Sequence, residues 1–410
     1  MKILFLIHYY TSKYAGTRIL HYLSEYILSQ GIEVHILTHE NNKEQNEKFA
    51  EGVIHHAIPK DGALRIVRRL LALCASNQTK YWAVLLRKFL VRFFKNNIYI
   101  DKNFLMKITE LSKEHKFDVV IPFIQTGYNA VSTLEAHKKN PSIRYIPYFL
   151  DNFSTNNLEY SDEKLKVSLE NEIIEKSLIS VITFEMNKEF HEKKVPFQNK
   201  LLPLGFPMII KPILVPIKDD IFFSDEKINC LFTGDLSTET RNPKFFFELF
   251  RKTQKENIVF HICGNACTRP EVLKLKEEMG NRVVLHGKIS VQAATNATLR
   301  ANFLINLGNN MTNMLPSKIF SYFSSGKPII NTYKTQHCPT IEYMSKYPFC
   351  LNLLEEGDGD ALKNLEKFEK FCEDNKDKRV SFDVVKDLYY ENTVDYVAGK
   401  MLESLETHVQ

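Results

Sequence analysis

Leu304-Ile305-Asn306-Leu307-Gly308-Asn309-Asn310 and, soon after, Leu315-Pro316-Ser317-Lys318-Ile319-Phe320-Ser321-Tyr322-Phe323-Ser324-Ser325-Gly326-Lys327-Pro328-Ile329-Ile330 read as strand, polar loop, helix and strand. Gly326 suits the end of the helix, and Pro328 opens the next apolar run. Two strands joined through a helix make no hairpin and lie parallel in one sheet. Pro316 fits a first helical turn, where its missing N–H breaks no bond. Ser317 and Lys318 then stand at a helix N-terminus. Free N–H groups, the helix dipole and an ammonium converge there, a combination that suits a diphosphate. The plainer alternative is a capped helix with a surface lysine.

The same alternation extends outward in both directions. In the C-terminal half, strands are expected at 229–233, 258–263, 282–286, 303–306, 328–330 and 349–351, with helices at 243–253, 270–279, 290–299 and 317–324. In the N-terminal half, strands are expected at 2–7, 33–38, 52–57, 118–122, 144–148, 180–183 and 200–204, with long helices at 17–29 and 158–178. Such alternation predicts parallel sheets with helices on both faces. Residues 205–227 interrupt it with Pro207, Pro212, Pro216 and the pair Asp219-Asp220, and read as a linker. The expected fold class is α/β, with two doubly wound Rossmann-like domains facing across a cleft. The first covers 1–205, the linker 206–227 and the second 228–385. A C-terminal helix over 386–410 is expected to pack back on the first domain. Ligands of such sheets sit at the carboxyl ends of the strands.

A chain of 410 residues with 44% hydrophobic and 25% charged residues is neither disordered nor fibrous. Its seven cysteines are odd in number and scattered, which suits free thiols in a reducing compartment. The opening apolar run, Ile3 to Ile7, is short for a secretory signal, and no window is long enough to span a bilayer. A cytoplasmic protein is expected. The net charge of +5 is placed unevenly: residues 60–102 hold ten basic residues against Asp61 and Asp101. Apolar pairs such as Leu70-Leu71 and Phe93-Phe94 interleave with them. This stretch reads equally as a solvated helix or as a contact with an anionic membrane surface. The mild overall charge and the lack of a nucleic-acid motif argue against nucleic acid as a partner.

Two further loops carry candidate chemistry. After the first strand, Gly16 stands just before a helix that opens at Thr17, where a ligand can approach the backbone; a simple cap with Thr17 at the helix start is the alternative. After strand 229–233, Gly234 is followed by Arg241-Asn242-Pro243, and Arg241 has the fork geometry for a phosphate. Asp151, ending an N-terminal strand, suits an acceptor-orienting group or a base, or a cap. His55-His56 and the trio His261, Cys263 and Cys267 lack a complete zinc ligand set, so no metal is expected. Phe245-Phe246-Phe247 and Phe250 read as the inner face of a helix.

Leu304–Asn309, Pro316-Ser317-Lys318-Ile319-Phe320 and Gly326-Lys327-Pro328-Ile329-Ile330 together resemble the donor-site region of bacterial GT-B glycosyltransferases of the family-four type. The Gly234 loop with Arg241-Asn242-Pro243 is similar to their first donor-domain loop. The segment from Lys2 to Thr38 is similar to their N-terminal strand–loop–helix–strand, and Leu202-Pro203-Leu204-Gly205 to the end of their acceptor domain. The resemblance implies a retaining, metal-independent transferase that holds no permanent cofactor. Its substrate would be a nucleotide-diphosphate sugar, a UDP-sugar first of all. The sugar, a hexose or N-acetylhexosamine, would pass to a polysaccharide or lipid-linked glycan acceptor in capsule or lipopolysaccharide biosynthesis, on the inner face of the membrane. Arg241 and Lys318 would neutralise the diphosphate. Gly16, Thr17, Gly234, Gly308, Asn309, Pro316, Ser317 and Ser321 would line the donor. The chain departs from the pattern at Ser321 and Asn313, where many relatives have Glu, and at Asp235, where many have Arg. These departures keep a non-enzymatic binding partner as an alternative; a sugar-nucleotide epimerase of the same fold is another, which would need paired acid and base carboxylates that the sequence does not show.

Overall fold

The computed structural model describes residues 1–11, 14–40, 49–59, 70, 81–94, 99–124, 127–154, 163–236, 241–308, 315–335, 337–355 and 361–409. These divide into two compact units, Met1–Pro207 with Val394–Gln410, and Met208–Thr393.

The first unit is built on a seven-stranded sheet of order β3-β2-β1-β4-β5-β6-β7. Its strands are β1 (Lys2–Leu6), β2 (Glu33–His39), β3 (Ile54–Ile58), β4 (Val119–Ile124), β5 (Tyr148–Phe149), β6 (Ser180–Thr183) and β7 (Leu201–Leu204). All pairings are parallel. Ile3 to Ile7 are fully buried, because β1 lies in mid-sheet with both faces covered. The connecting helices are α1 (Ala15–Ser29), α2 (Tyr81–Phe94), α3 (Lys102–His115), α4 (Gly127–Lys139), α5 (Glu163–Lys176) and α6 (Phe184–Lys193). Asp101 caps α3 by accepting from the N–H groups of Asn103 and Phe104, and its second oxygen holds buried His39 at 2.9 Å. The strand expected at 144–148 is reduced to a bridge at Tyr145 and the two-residue β5. Pro147 stands between them and has no N–H to donate to the ladder.

The second unit holds a six-stranded sheet of order β10-β9-β8-β11-β12-β13, also parallel throughout. Its strands are β8 (Ile228–Thr233), β9 (Ile258–Cys263), β10 (Val283–Gly287), β11 (Phe303–Asn306), β12 (Ile329–Tyr333) and β13 (Cys350–Leu354). Its helices are α7 (Lys244–Lys252), α8 (Pro270–Met279), α9 (Val291–Arg300), α10 (Lys318–Ser324), α11 (Pro339–Met344), α12 (Ala361–Asn375) and α13 (Phe382–Leu388). Phe246 and Phe250 of α7 pack on Phe260 of β9, so the aromatic run is core. Both units follow the doubly wound pattern.

Two boundaries differ from the sequence reading. Residues 208–227, expected as linker, belong to the second unit. Asn296 grips the Val215 backbone from both sides, and Asp220 pairs with Arg300 at 2.6 Å, its carboxyl held below the usual range. At the other end, residues up to Thr393 stay with the second unit, where Met208 and Ile209 donate to the Asn392 carbonyl. The last helix, α14 (Val394–Val409), packs against α1 within the first unit. The six described cysteines are all free thiols.

Lys327 is buried at the amino end of β12, and burial beside Arg379 pushes its amine down to about 7. Between that value and the ordinary lysine range the unfolded chain binds the extra proton, so stability rises with pH there. Urea titrations from pH 7 to 10 are expected to show this rise, and Lys327→Met to flatten it.

Candidate functional site

The carboxyl end of β8 is where the expected donor residues meet. Gly234 follows the strand with φ +131°, a conformation that only glycine adopts readily. Lys318, the first residue of α10, extends its ammonium to the Thr233 carbonyl oxygen and lies 5.5 Å from the centre of the Phe232 ring. A Cβ at position 234 would collide with that Nζ. The glycine is thus the notch in which the lysine head sits. Gly264, at the end of β9 with φ +100°, allows a second close approach: a Cβ there would meet the Gly234 oxygen at 2.6 Å. Gly234 donates to the Cys263 carbonyl at 2.8 Å and accepts from Ala266 at 3.0 Å, so the two strand ends are knitted together. Cys263 beneath them is buried, and its thiol is pushed up to about 12.

Arg241 joins this group from the segment before α7. Burial lowers the pKa of its guanidinium, while Tyr322 and Asp235 nearby oppose that shift. Tyr322, on α10 one turn beyond Lys318, is buried with its hydroxyl near the Ile305 carbonyl; burial pushes it up to about 12. Lys318 reaches the β8 end, and Arg241 lies within electrostatic range of Tyr322 and Asp235. Sequence reading missed Tyr322. Its signal was available as an aromatic one turn after Lys318, but it reads as core, which it also is. Asp235 is gripped by Arg269 through three contacts of 3.0–3.1 Å. Arg269 precedes α8 and nothing local in the sequence ties it to Asp235. It offsets the carboxylate charge beside Lys318. Both partners are substantially exposed, so the pair adds little to stability.

The other expected residues are more scattered. Gly308 lies at the end of β11, where a Cβ would strike the Thr332 oxygen at 2.6 Å; close packing on β12 accounts for the glycine. Asn309 lies outside the described residues. Pro316 precedes the helix rather than opening it, and Ser317 is the cap residue without a side-chain capping bond. The Ile319 N–H at the helix start donates to the Pro316 carbonyl at 3.1 Å. Ser321 is on α10, half-buried. In the first unit, α1 begins two residues earlier than expected, so Gly16 falls inside its first turn together with Thr17. The Thr17 hydroxyl accepts from the Thr11 N–H at 3.2 Å and donates to the Tyr9 carbonyl at 3.3 Å, so it braces the loop after β1. Asp151 is exposed beyond β5, and desolvation by the protein around it raises its carboxyl pKa.

No family model matches this sequence, and none of the curated proteins does. Solved structures do match in backbone. The lipopolysaccharide outer core galactosyltransferase WaaB superposes with a TM-score of 0.57 at 13% identity, over 99% of both chains. TarM, from S. aureus, gives 0.60 at 11% over 98% of both. The UDP-GlcNAc 2-epimerase of Methanocaldococcus jannaschii gives 0.58 at 11%, over 99% of this chain and all of that one.

The fold is GT-B.

It comprises two Rossmann-like units. At these identities the likeness is one of architecture, shared by the two transferases and the epimerase alike. Within this GT-B chain, the Lys318 seat is the feature whose chemistry is testable at once. Gly234→Ala is expected to cost about 1–3 kcal/mol in chemical denaturation, through backbone strain. It is also expected to displace Lys318 and weaken pyrophosphate binding in calorimetry by roughly tenfold or more, the scale of a lost charge-assisted hydrogen bond.

Proposed function

We propose that this chain is a glycosyltransferase that moves a sugar from a nucleotide-diphosphate donor, UDP-linked in the first instance, to a polysaccharide or lipid-linked glycan acceptor. The observation that carries this reading is the Lys318 ammonium seated at the β8 end, with Arg241 near Tyr322 and Asp235. When the sugar–phosphate bond breaks, negative charge grows on the leaving oxygen while the sugar becomes cation-like. Cations held in place before the reaction stabilise that charge more than the ground state. Lys318 and Arg241 are the proposed diphosphate cations. The leaving phosphate takes the acceptor proton in the retaining course that the family resemblance implies. Asp151, just beyond β5, is the proposed acceptor-side group. Surface glycan synthesis, capsule or lipopolysaccharide, is the proposed setting.

The expected outcome of a thermal-shift screen is a rise in melting temperature with one class among UDP-, GDP- and CMP-linked sugars. With the donor so found, Lys318→Ala is expected to lower kcat by roughly 100- to 1000-fold, the scale of removing one preorganised donor. Release of nucleoside diphosphate together with a new glycoside marks transfer; a changed sugar still joined to its nucleotide marks the epimerase. No ligand-induced shift, or full activity in Lys318→Ala, speaks against the reading.

A contact with anionic membrane is the second part of the proposal. Trp82, Leu85 and Phe89 of α2 share a helical face and are each close to half exposed or more. They lie inside the basic 60–102 stretch. Co-sedimentation with phosphatidylglycerol vesicles is expected at low salt and to be lost at high salt or in Phe89→Glu, whereas neutral vesicles stay empty.

A further inference from the structure

On the far side of the first unit from β5–β7, three histidines from three elements meet. His35 lies on β2, His56 on β3 and His115 at the end of α3. The parallel register pairs His35 with Ile54 and Leu37 with His56, so the two strand histidines share one face, one step apart. Lys116 then turns the chain through the left-handed region at φ 53°, and Phe117 closes the cluster with its edge on the His35 ring. The His35 and His56 rings are stacked at 5.1 Å, and the His115 ring is centred 4.6 Å from His35 and 5.7 Å from His56.

The hydrogen bonding fixes the tautomers. His35 Nε2 lies 2.8 Å from Glu33 Oε1, which also pairs with Lys2. A carboxylate only accepts, so Nε2 carries the His35 proton and Nδ1 presents its lone pair. That lone pair faces His56 Nε2 at 2.8 Å, which donates to it. One ring nitrogen from each histidine lies within 4.8 Å of the other two. A point therefore exists within about 2.8 Å of all three nitrogens, and ring movements of under about 1 Å bring them to the ~2.0–2.1 Å of a zinc–imidazole bond.

We propose that His35, His56 and His115 form a three-imidazole site for a divalent metal of the zinc class, with Glu33 holding His35 in the ligating tautomer. A carboxylate behind a ligating imidazole is the usual outer support of such sites. On binding, the metal takes the place of the proton between His35 and His56. That proton moves through solvent to His56 Nδ1, so no net charge is released, and water completes the tetrahedron. The metal would clip β3, the exposed edge strand, to β2 and α3.

The second unit contains its own control. His261 on β9 and His286 on β10 form a similar stacked pair, Nδ1 to Nε2 at 3.0 Å, with Asn229 in the position of Glu33. Phe223 meets His261 edge-on, and among the described residues no third ligand joins that pair.

The test uses tag-free full-length protein stripped with EDTA and titrated with Zn²⁺ by calorimetry and with Co²⁺ by absorption. One Zn²⁺ per chain at micromolar or tighter affinity is expected, with the intense visible bands of tetrahedral Co²⁺. Zn²⁺ is also expected to raise the melting temperature. His56→Ala/His115→Ala is expected to lose at least tenfold in affinity and the thermal shift. Glu33→Gln should weaken binding by roughly tenfold, and His286→Ala should leave it unchanged. His115→Gln alone, at a half-buried helix end, serves if the double variant does not fold. Absence of stoichiometric binding overturns the proposal. So does affinity in the double variant, or in His115→Gln if that replaces it, within threefold of the parent, or a loss in His286→Ala equal to that in His115→Gln.

Discussion

The seat of Lys318 on the Thr233 carbonyl constrains everything around it. The ammonium reaches the strand end only because position 234 has no side chain, and Gly234 holds its φ of +131° only where nothing heavier is required. Gly264 then has to be a glycine as well, since its own Cβ would meet the Gly234 oxygen. The cation thus bears on Gly234, and the Gly234 backbone in turn bears on Gly264. The carboxyl ends of β8 and β9 become a surface of backbone amides and carbonyls with a fixed positive charge on it. A surface of that kind is what the proposed diphosphate role of Lys318 and Arg241 rests on.

Around that seat, charge is balanced pairwise. Asp235 would oppose an anion if left alone, but Arg269 holds it in a bidentate grip. Arg241 lies near Tyr322 and Asp235, and burial disfavours its charge. Behind these, Asn306, Asn331 and Asn352 form a side-chain ladder across β11, β12 and β13 at matching register. Thr332 bonds Glu355 on one side and the Gly308 N–H on the other. These polar layers satisfy groups that are removed from water and fix how the strand ends face.

The two Rossmann-like units repeat more than topology. Each carries a histidine on the second strand of its sheet bonded through Nδ1 to a histidine on the neighbouring edge strand, and each holds the remaining nitrogen with an acceptor side chain. Burial pushes His56 down to about 4 and His261 to about 3, so both pairs are neutral at physiological pH. Each pair also has a phenylalanine edge-on to its inner histidine, Phe117 and Phe223, but among the described residues only the first pair has a third histidine, His115.

Periodicity and punctuation alone sufficed for the α/β class, for the two parallel sheets and for most strand limits. Short, mostly apolar runs between helical patterns mark buried strands, so 258–263, 303–306 and 180–183 are legible to the residue even with His261, Asn306 and Ser180 inside them. The same local logic fails where a proline interrupts an apolar run, as at Pro147, or where a proline-rich segment is tied down by a distant Asn296. Of the site, Gly234, Arg241 and Lys318 could be named from motifs that charge and backbone freedom explain. Their convergence could not, nor the Arg269 grip on Asp235, the place of Tyr322 or the meeting of His35, His56 and His115. Those depend on contacts between residues from 17 to 85 positions apart, such as Lys318 with Thr233. Only the closed sheet brings such residues within the few ångströms over which hydrogen bonds and ion pairs act.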